Sequence, residues 1–179
     1  MGKTNWKVKG LLLGALALAS SGLWATPVPP ATPTEKLAKA VRHELVMLPY
    51  YSLFDNLSFR IEGDKVTLMG QVTRPTLKID SERVVQRVAG VSKVVNEIEV
   101  LPLSSFDSRI RWAVLRALFR QPALQRYGMG ALPSIHIIVK NGDVSLEGVV
   151  SNQMDKNLAF LYANGVPGVF SVTNNLRVL

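Results

Sequence analysis

A stretch of twelve residues occurs twice, and it constrains the fold more than anything else in the chain. The first copy runs Ile61-Glu-Gly-Asp-Lys-Val-Thr-Leu-Met-Gly-Gln-Val72, the second Val139-Lys-Asn-Gly-Asp-Val-Ser-Leu-Glu-Gly-Val-Val150. Each reads as a β-hairpin. Asn141-Gly142 is the strongest short hairpin signal, because both residues tolerate the positive φ of a type I′ turn. Gly63-Asp64 occupies the same place in the first copy. Beyond the turn, Val66, Leu68, Gly70 and Val72 share one face at period two, as do Val144, Leu146, Gly148 and Val150. That is a strand with one side buried. Glycine weakens a strand, so its return at the same inward place predicts a helix or backbone segment lying close above it.

The flanks repeat as well. Leu37, Val41, Leu45 and Leu48 form the apolar stripe of a helix over 35–48, closed by Pro49. Ile110, Val114, Leu118 and Pro122 repeat that pattern, with Asp107 or Ser108 as the helix cap. Strands near 57–61 and 135–139 lead into the hairpins. A second helix starts at Thr73-Arg74-Pro75, carries Leu77, Ser81, Val84, Val85 and Val88 inward, and stops at Gly90. Its counterpart spans 153–164, and closing strands follow at 94–100 and 169–178. The second unit holds an extra piece, Gly128-Met-Gly-Ala-Leu132. The expected class is α+β: two tandem αββαβ domains, 35–102 and 104–179. Each is a three-stranded mixed sheet with two helices on one face, since the strand after the crossover helix pairs in parallel.

The N-terminus has its own pattern. Lys3, Lys7 and Lys9 precede an apolar run, Leu11 to Ala19, and Ser20-Ser-Gly-Leu-Trp-Ala25 follows, ending on a small residue. This reads as a secretory signal peptide over 1–25. The run falls short of the roughly 20 residues of a spanning helix, which favours cleavage over retention as an anchor. Residues 26–34 form a proline-rich, extended tether. The net charge is +8 and cysteine is absent, which excludes disulfides, thiol chemistry and a lipid-bearing cysteine. Two such small domains hold together by core packing, or by helping each other.

The closing segments Val88-Ala-Gly-Val-Ser-Lys-Val-Val-Asn-Glu-Ile-Glu-Val100 and Val166-Pro-Gly-Val-Phe-Ser-Val-Thr-Asn-Asn-Leu-Arg-Val178 resemble the closing signature of the BON domain: Gly-Val, two residues, Val, one residue, Asn, then apolar alternation. The hairpin through Val150 resembles the family's central motif. The resemblance covers about residues 35 to 179. It implies a dual-BON-domain exported protein, periplasmic or membrane-associated, with a proposed role in binding phospholipid and keeping the envelope intact under osmotic stress. The family positions Gly70, Gly90, Asn96, Gly148, Gly168 and Asn174 read as structural, with the asparagines bonding nearby backbone.

Residues for catalysis are sparse. The two histidines, His43 and His136, are not at equivalent places, and Asp80 and Glu82 lie too close together on one helix for a metal cage. No nucleophile elbow, His-x-x-x-His or phosphate loop is present. The expectation is a non-enzyme without metal or cofactor.

The first helices of the two repeats differ. Opposite its stripe, the first carries Lys36, Lys39, Arg42 and His43, a solvated basic face. Opposite Ile110, Val114 and Leu118, the second carries Trp112, Leu115 and Phe119, edged by Arg109, Arg116 and Arg120. That helix has two apolar faces, and its own sheet covers one. Three covers fit the other: an anionic phospholipid surface, with Trp and Phe among the headgroups and arginines on phosphates; the first domain, across a linker near 101–105; or an envelope protein partner or second copy. Nucleic acid is disfavoured for an exported chain without spaced stacking aromatics. The six residues Arg109, Trp112, Leu115, Arg116, Phe119 and Arg120 are the candidate lipid-binding site, and a protein-docking module using the Trp112 face is the alternative.

Overall fold

The computed structural model describes residues 32–130 and 133–179. The signal-peptide reading of 1–25 and most of the tether lie outside them. Helix α1 (Pro33–Val46) begins inside the segment read as tether, because Thr32 closes a capping box with Glu35 and Pro33 sits at the first helical position. Strands β1 (Asn56–Glu62) and β2 (Lys65–Val72) pair antiparallel. Helix α2 (Pro75–Gln86) crosses over, and β3 (Lys93–Asn96) and β4 (Glu99–Val100) run parallel to β2.

The second domain repeats this order with one addition. After α3 (Ser105–Phe119) comes a short helix α4 (Pro122–Gly128), then the hairpin β5 (Ile135–Lys140) and β6 (Asp143–Val150). Helix α5 (Gln153–Asn164) and the parallel strands β7 (Ser171–Asn174) and β8 (Arg177–Val178) complete it. Pro122 therefore opens a helix rather than merely closing one, as proline suits the first turn. In both domains the helices pack side by side on a mixed sheet.

Each closing strand is broken in two, and the family asparagine is the reason. Asn96 donates from Nδ2 to the Lys78 carbonyl on α2 at 2.8 Å and accepts the Ile98 amide on Oδ1 at 3.2 Å. Asn174 does the same with Lys156 and Leu176, at 2.8 and 3.3 Å. Each thus ties strand to crossover helix where a ladder bond would otherwise continue.

The hairpin turns differ. Asn141 (φ 54°) and Gly142 (φ 86°) both adopt positive φ, as type I′ requires, whereas in the first turn only Gly63 does (φ 65°), the type II′ pattern. The inward glycines lie under backbone, not under a helix. A Cβ on Gly70 would stand 2.0 Å from the Asn56 carbonyl oxygen, and one on Gly148 2.0 Å from that of Ser134.

Two cores result. One gathers Val41, Leu45, Val66, Leu68, Leu77 and Ile98; the other Ile110, Val114, Leu118, Ile137, Leu146 and Leu176. The second also takes in Leu53 and Phe54 from the first domain. Their loop docks on the edge of β5, where the Ile137 amide donates to the Leu53 carbonyl at 2.7 Å. Asp55, fully buried, shapes that loop by accepting from the amides and hydroxyls of Ser52 and Thr73. Tyr51 packs on His136 with ring centroids 5.7 Å apart, and Lys140 pairs with Glu99 at 2.6 Å.

Candidate functional site

The cap of helix α3 lies three residues before Asp107, the earlier of the two expected caps. Ser104 is the cap, accepting the Asp107 amide on Oγ at 3.1 Å. Asp107 sits in the first turn, and its buried carboxylate reaches across the fold. It accepts the amides of Asn141 and Gly142 at 3.0 and 2.9 Å, so α3 grips the β5–β6 turn. Ser108 bonds back to the Ser104 carbonyl. Arg111 is buried and donates to the Val139 carbonyl at 2.8 Å; its Nε has no partner, and burial lowers its pKa. The inward side of α3 is thereby bolted to β5 with polar as well as apolar groups.

Its outward side exposes Arg109, Trp112, Arg116 and Arg120, at spacings of three and four that keep them on one stripe. Trp112 is 53 % exposed. Its covered side meets Phe54 edge-on, ring centroids 5.1 Å apart. Leu115 and Phe119 do not join the stripe. Both are half-buried against the second core, and Phe119 lies over Gly128 of α4, so close that a Cβ there would stand 2.8 Å from the ring. The first domain and α4 thus take up much of the second apolar face, leaving Trp112 and three arginines facing out.

Helix α4 had no counterpart in the repeat. It is held by Tyr127, whose hydroxyl donates to Asp155 at 2.5 Å and accepts the Ser151 amide at 2.9 Å, while Arg126 pairs with the same carboxylate. The Tyr127 hydrogen bond, ahead of the Arg126 pair, draws the Asp155 pKa down against the effect of burial.

The structure adds aromatic residues that the helix pattern alone did not indicate. Phe106 and Phe170 stand 5.9 Å apart at the start of α3, the second 73 % exposed, and the Arg109 guanidinium lies 6.0 Å from the Phe106 ring. Phe106, Arg109, Trp112, Arg116 and Pro167 line a shallow groove of about 530 Å³. On α5, Phe160 and Leu161 are exposed. The acids of these two helices, Asp107 and Asp155, are both buried and engaged. The outward surface of α3 and α5 therefore carries arginine, aromatic and aliphatic groups and no carboxylate. On the first domain, α1 and α2 mix Lys36, Lys39 and Arg42 with Glu35, Glu44 and Asp80.

The remaining candidates for chemistry are dispersed. His43 is exposed on α1, Asp80 pairs with Arg83, and Glu82 receives Asn96. His136 lies in the seam between the domains, where burial depresses its pKa. Among the described residues no group of three or more His, Asp or Glu could hold a metal, and no helix is long and apolar enough to cross a membrane.

The repeated αββαβ unit, with its hairpin and strand-breaking asparagine, has a family counterpart. The BON domain model matches residues 34–102 and again 107–179. The chain belongs to the BON domain family. BON domains occur in envelope and periplasmic proteins and are generally non-enzymatic. No curated protein matches the chain in sequence. Among solved structures, the C-terminal domain of CdsD, a structural protein of the type III secretion system of Chlamydia trachomatis, is similar over 80% of this chain and 97% of its own, at 12% identity and a TM-score of 0.29. A second CdsD structure matches over 80% and 92%, with the same identity and score.

Proposed function

We propose that this BON protein is a non-enzymatic envelope component that docks on anionic phospholipid through α3 of its second domain and supports the envelope under osmotic stress. The observation that carries the reading is the outward surface of α3: Arg109, Trp112, Arg116 and Arg120, extended by Phe106 and Phe170, with no carboxylate among them. Aromatic rings suit the headgroup region, guanidinium groups pair with phosphate, and the missing acids remove repulsion from a negative surface. Each arginine near such a surface contributes about 1 kcal/mol, which makes the binding modest and salt-sensitive.

Co-sedimentation with liposomes tests this. Anionic vesicles should carry the protein down at low salt and release it at high salt, and neutral vesicles should not bind. Arg116→Glu and Trp112→Ala should each abolish binding while circular dichroism stays native. Failure to bind anionic vesicles at low salt refutes the reading and leaves the Trp112 face as a dock for a protein partner.

A further inference from the structure

The two repeats use equivalent sheet edges differently. Among the described residues, strands β1 and β5 each pair with a strand on one side only, β2 and β6, so each leaves an edge. Phe59 of β1 faces Leu68, and Ile137 of β5 faces the equivalent Leu146. Identical register makes both amides point away from the hairpin partner. The Ile137 amide is satisfied by the Leu53 carbonyl, from a turn of the first domain that sits against the edge of β5 through this one backbone bond. The Phe59 amide has no backbone acceptor outside its sheet among the described residues. It lines a cleft of about 800 Å³ between α1 and β1 on one side and β6 and β8 on the other. That volume falls within the range of ligand sites, roughly 300–1,000 Å³.

The cleft has a charge preference. Arg42 and Arg177 line it from opposite domains, both exposed and neither in an ion pair among the described residues. The carboxylate among its described lining residues, Glu147, accepts from Asn175 Nδ2 at 2.6 Å. Leu45, Val46 and Leu57 supply apolar wall. Tyr51 lines the cleft together with Leu57 near the start of β1, and the outward amides of Phe59 and Ile61 lie further along the strand for a new strand to meet.

We propose that this cleft receives an extended acidic segment of another protein, which adds to the β1 edge and sets its carboxylates against Arg42 and Arg177. The molecule already uses edge docking once, at β5. An unpaired strand edge is a template for such addition, its backbone bonds giving affinity and its flanking charges giving selectivity. This site is separate from the α3 surface and stands whether or not that surface binds lipid.

The test uses the ¹⁵N-labelled full chain and two pools of end-blocked hexapeptides, one alternating valine with aspartate or glutamate, the other valine with lysine. The acidic pool should shift the Phe59 and Ile61 amides and slow their hydrogen exchange. The lysine pool should leave them unchanged. Arg42→Glu with Arg177→Glu, both on exposed positions, should weaken acidic binding about tenfold or more, as reversal of two near-surface pairs implies. The proposal is overturned if the acidic pool does not move these amides, if lysine peptides bind equally, or if the double reversal binds like wild type. Protection of Phe59 accompanied by a doubled sedimentation mass without peptide would assign the edge to a second copy of the chain and overturn it too.

Discussion

Trp112 sits between two environments, and its replacement by alanine has a cost that the structure sets. A buried aromatic side chain covers about 150–250 Å², so a tryptophan 53 % exposed hides about 100 Å². At about 25 cal/mol/Å² that is about 2.5 kcal/mol, reduced by up to 40 % for the compactness of the denatured chain. The edge-on pair with Phe54 adds about 1 kcal/mol. Trp112→Ala should therefore cost about 2.5–3.5 kcal/mol, at the low end of the about 3–5 of a fully buried tryptophan and above the about 0.5 of a surface position. The assay is chemical denaturation of wild type, Trp112→Ala, Phe54→Ala and the double variant. The cycle should return a coupling of about 1 kcal/mol across the domain seam. A single-variant loss within about 0.5 kcal/mol, or a coupling no larger than the about 0.3 expected of independent sites, refutes the account of Trp112 as half seam and half surface.

Three further outcomes are expected. His136 is kept neutral by burial against Tyr51, with Asp55 and Glu147 as the acids nearby. Its folded pKa lies below the ordinary 6.5, so unfolding takes up a proton, and its effect on stability is constant above about pH 6.5 and turns destabilising as pH falls below it; His136→Gln should flatten the wild-type pH dependence measured by urea titration between pH 7 and 5. Asp107→Ala leaves the Asn141 and Gly142 amides without their carboxylate, a loss of about 2–4 kcal/mol that amide exchange should localise to the β5–β6 turn. Gly148→Ala drives a Cβ into the Ser134 carbonyl at φ 118° and should lower stability by more than about 2 kcal/mol in thermal melts, whereas Gly63→Ala, with open space around it, should cost about 1.

What the sequence disclosed was whatever repeats at a fixed period. The hairpins, the Leu37–Val41–Leu45 and Ile110–Val114–Leu118 stripes, and α5 over 153–164 all follow from spacing of two or of three to four. Local sequence did not show which partner a polar group finds at a distance. Asp107 resembles a helix cap until β5 and β6 arrive beside it. Helix α4 has no repeat to reveal it and is secured by Asp155, 28 residues beyond Tyr127. The same limit applies to the candidate site. A helical wheel gives Leu115 and Phe119 the azimuth of Trp112, but says nothing of a loop from the other domain or an inserted helix that covers them. Phe106 and Phe170 meet through tertiary folding, from opposite ends of the second domain.

Leu53 and Phe54, borrowed from the first domain by the second core, give the tandem a direction. The first repeat emerges earlier from the ribosome and carries its own core complete. The second has that loop laid on β5, so first-domain residues pack against its core and not the reverse. Severing the chain at Pro102 or Leu103 divides the molecule unequally. The N-terminal half keeps its core, though Tyr51 and Phe54 lose the rings they pack on, and the C-terminal half forfeits a hydrogen-bonded edge and two apolar side chains. Duplication here produced an ordered pair, a self-sufficient leader and a dependent follower, in place of two interchangeable beads.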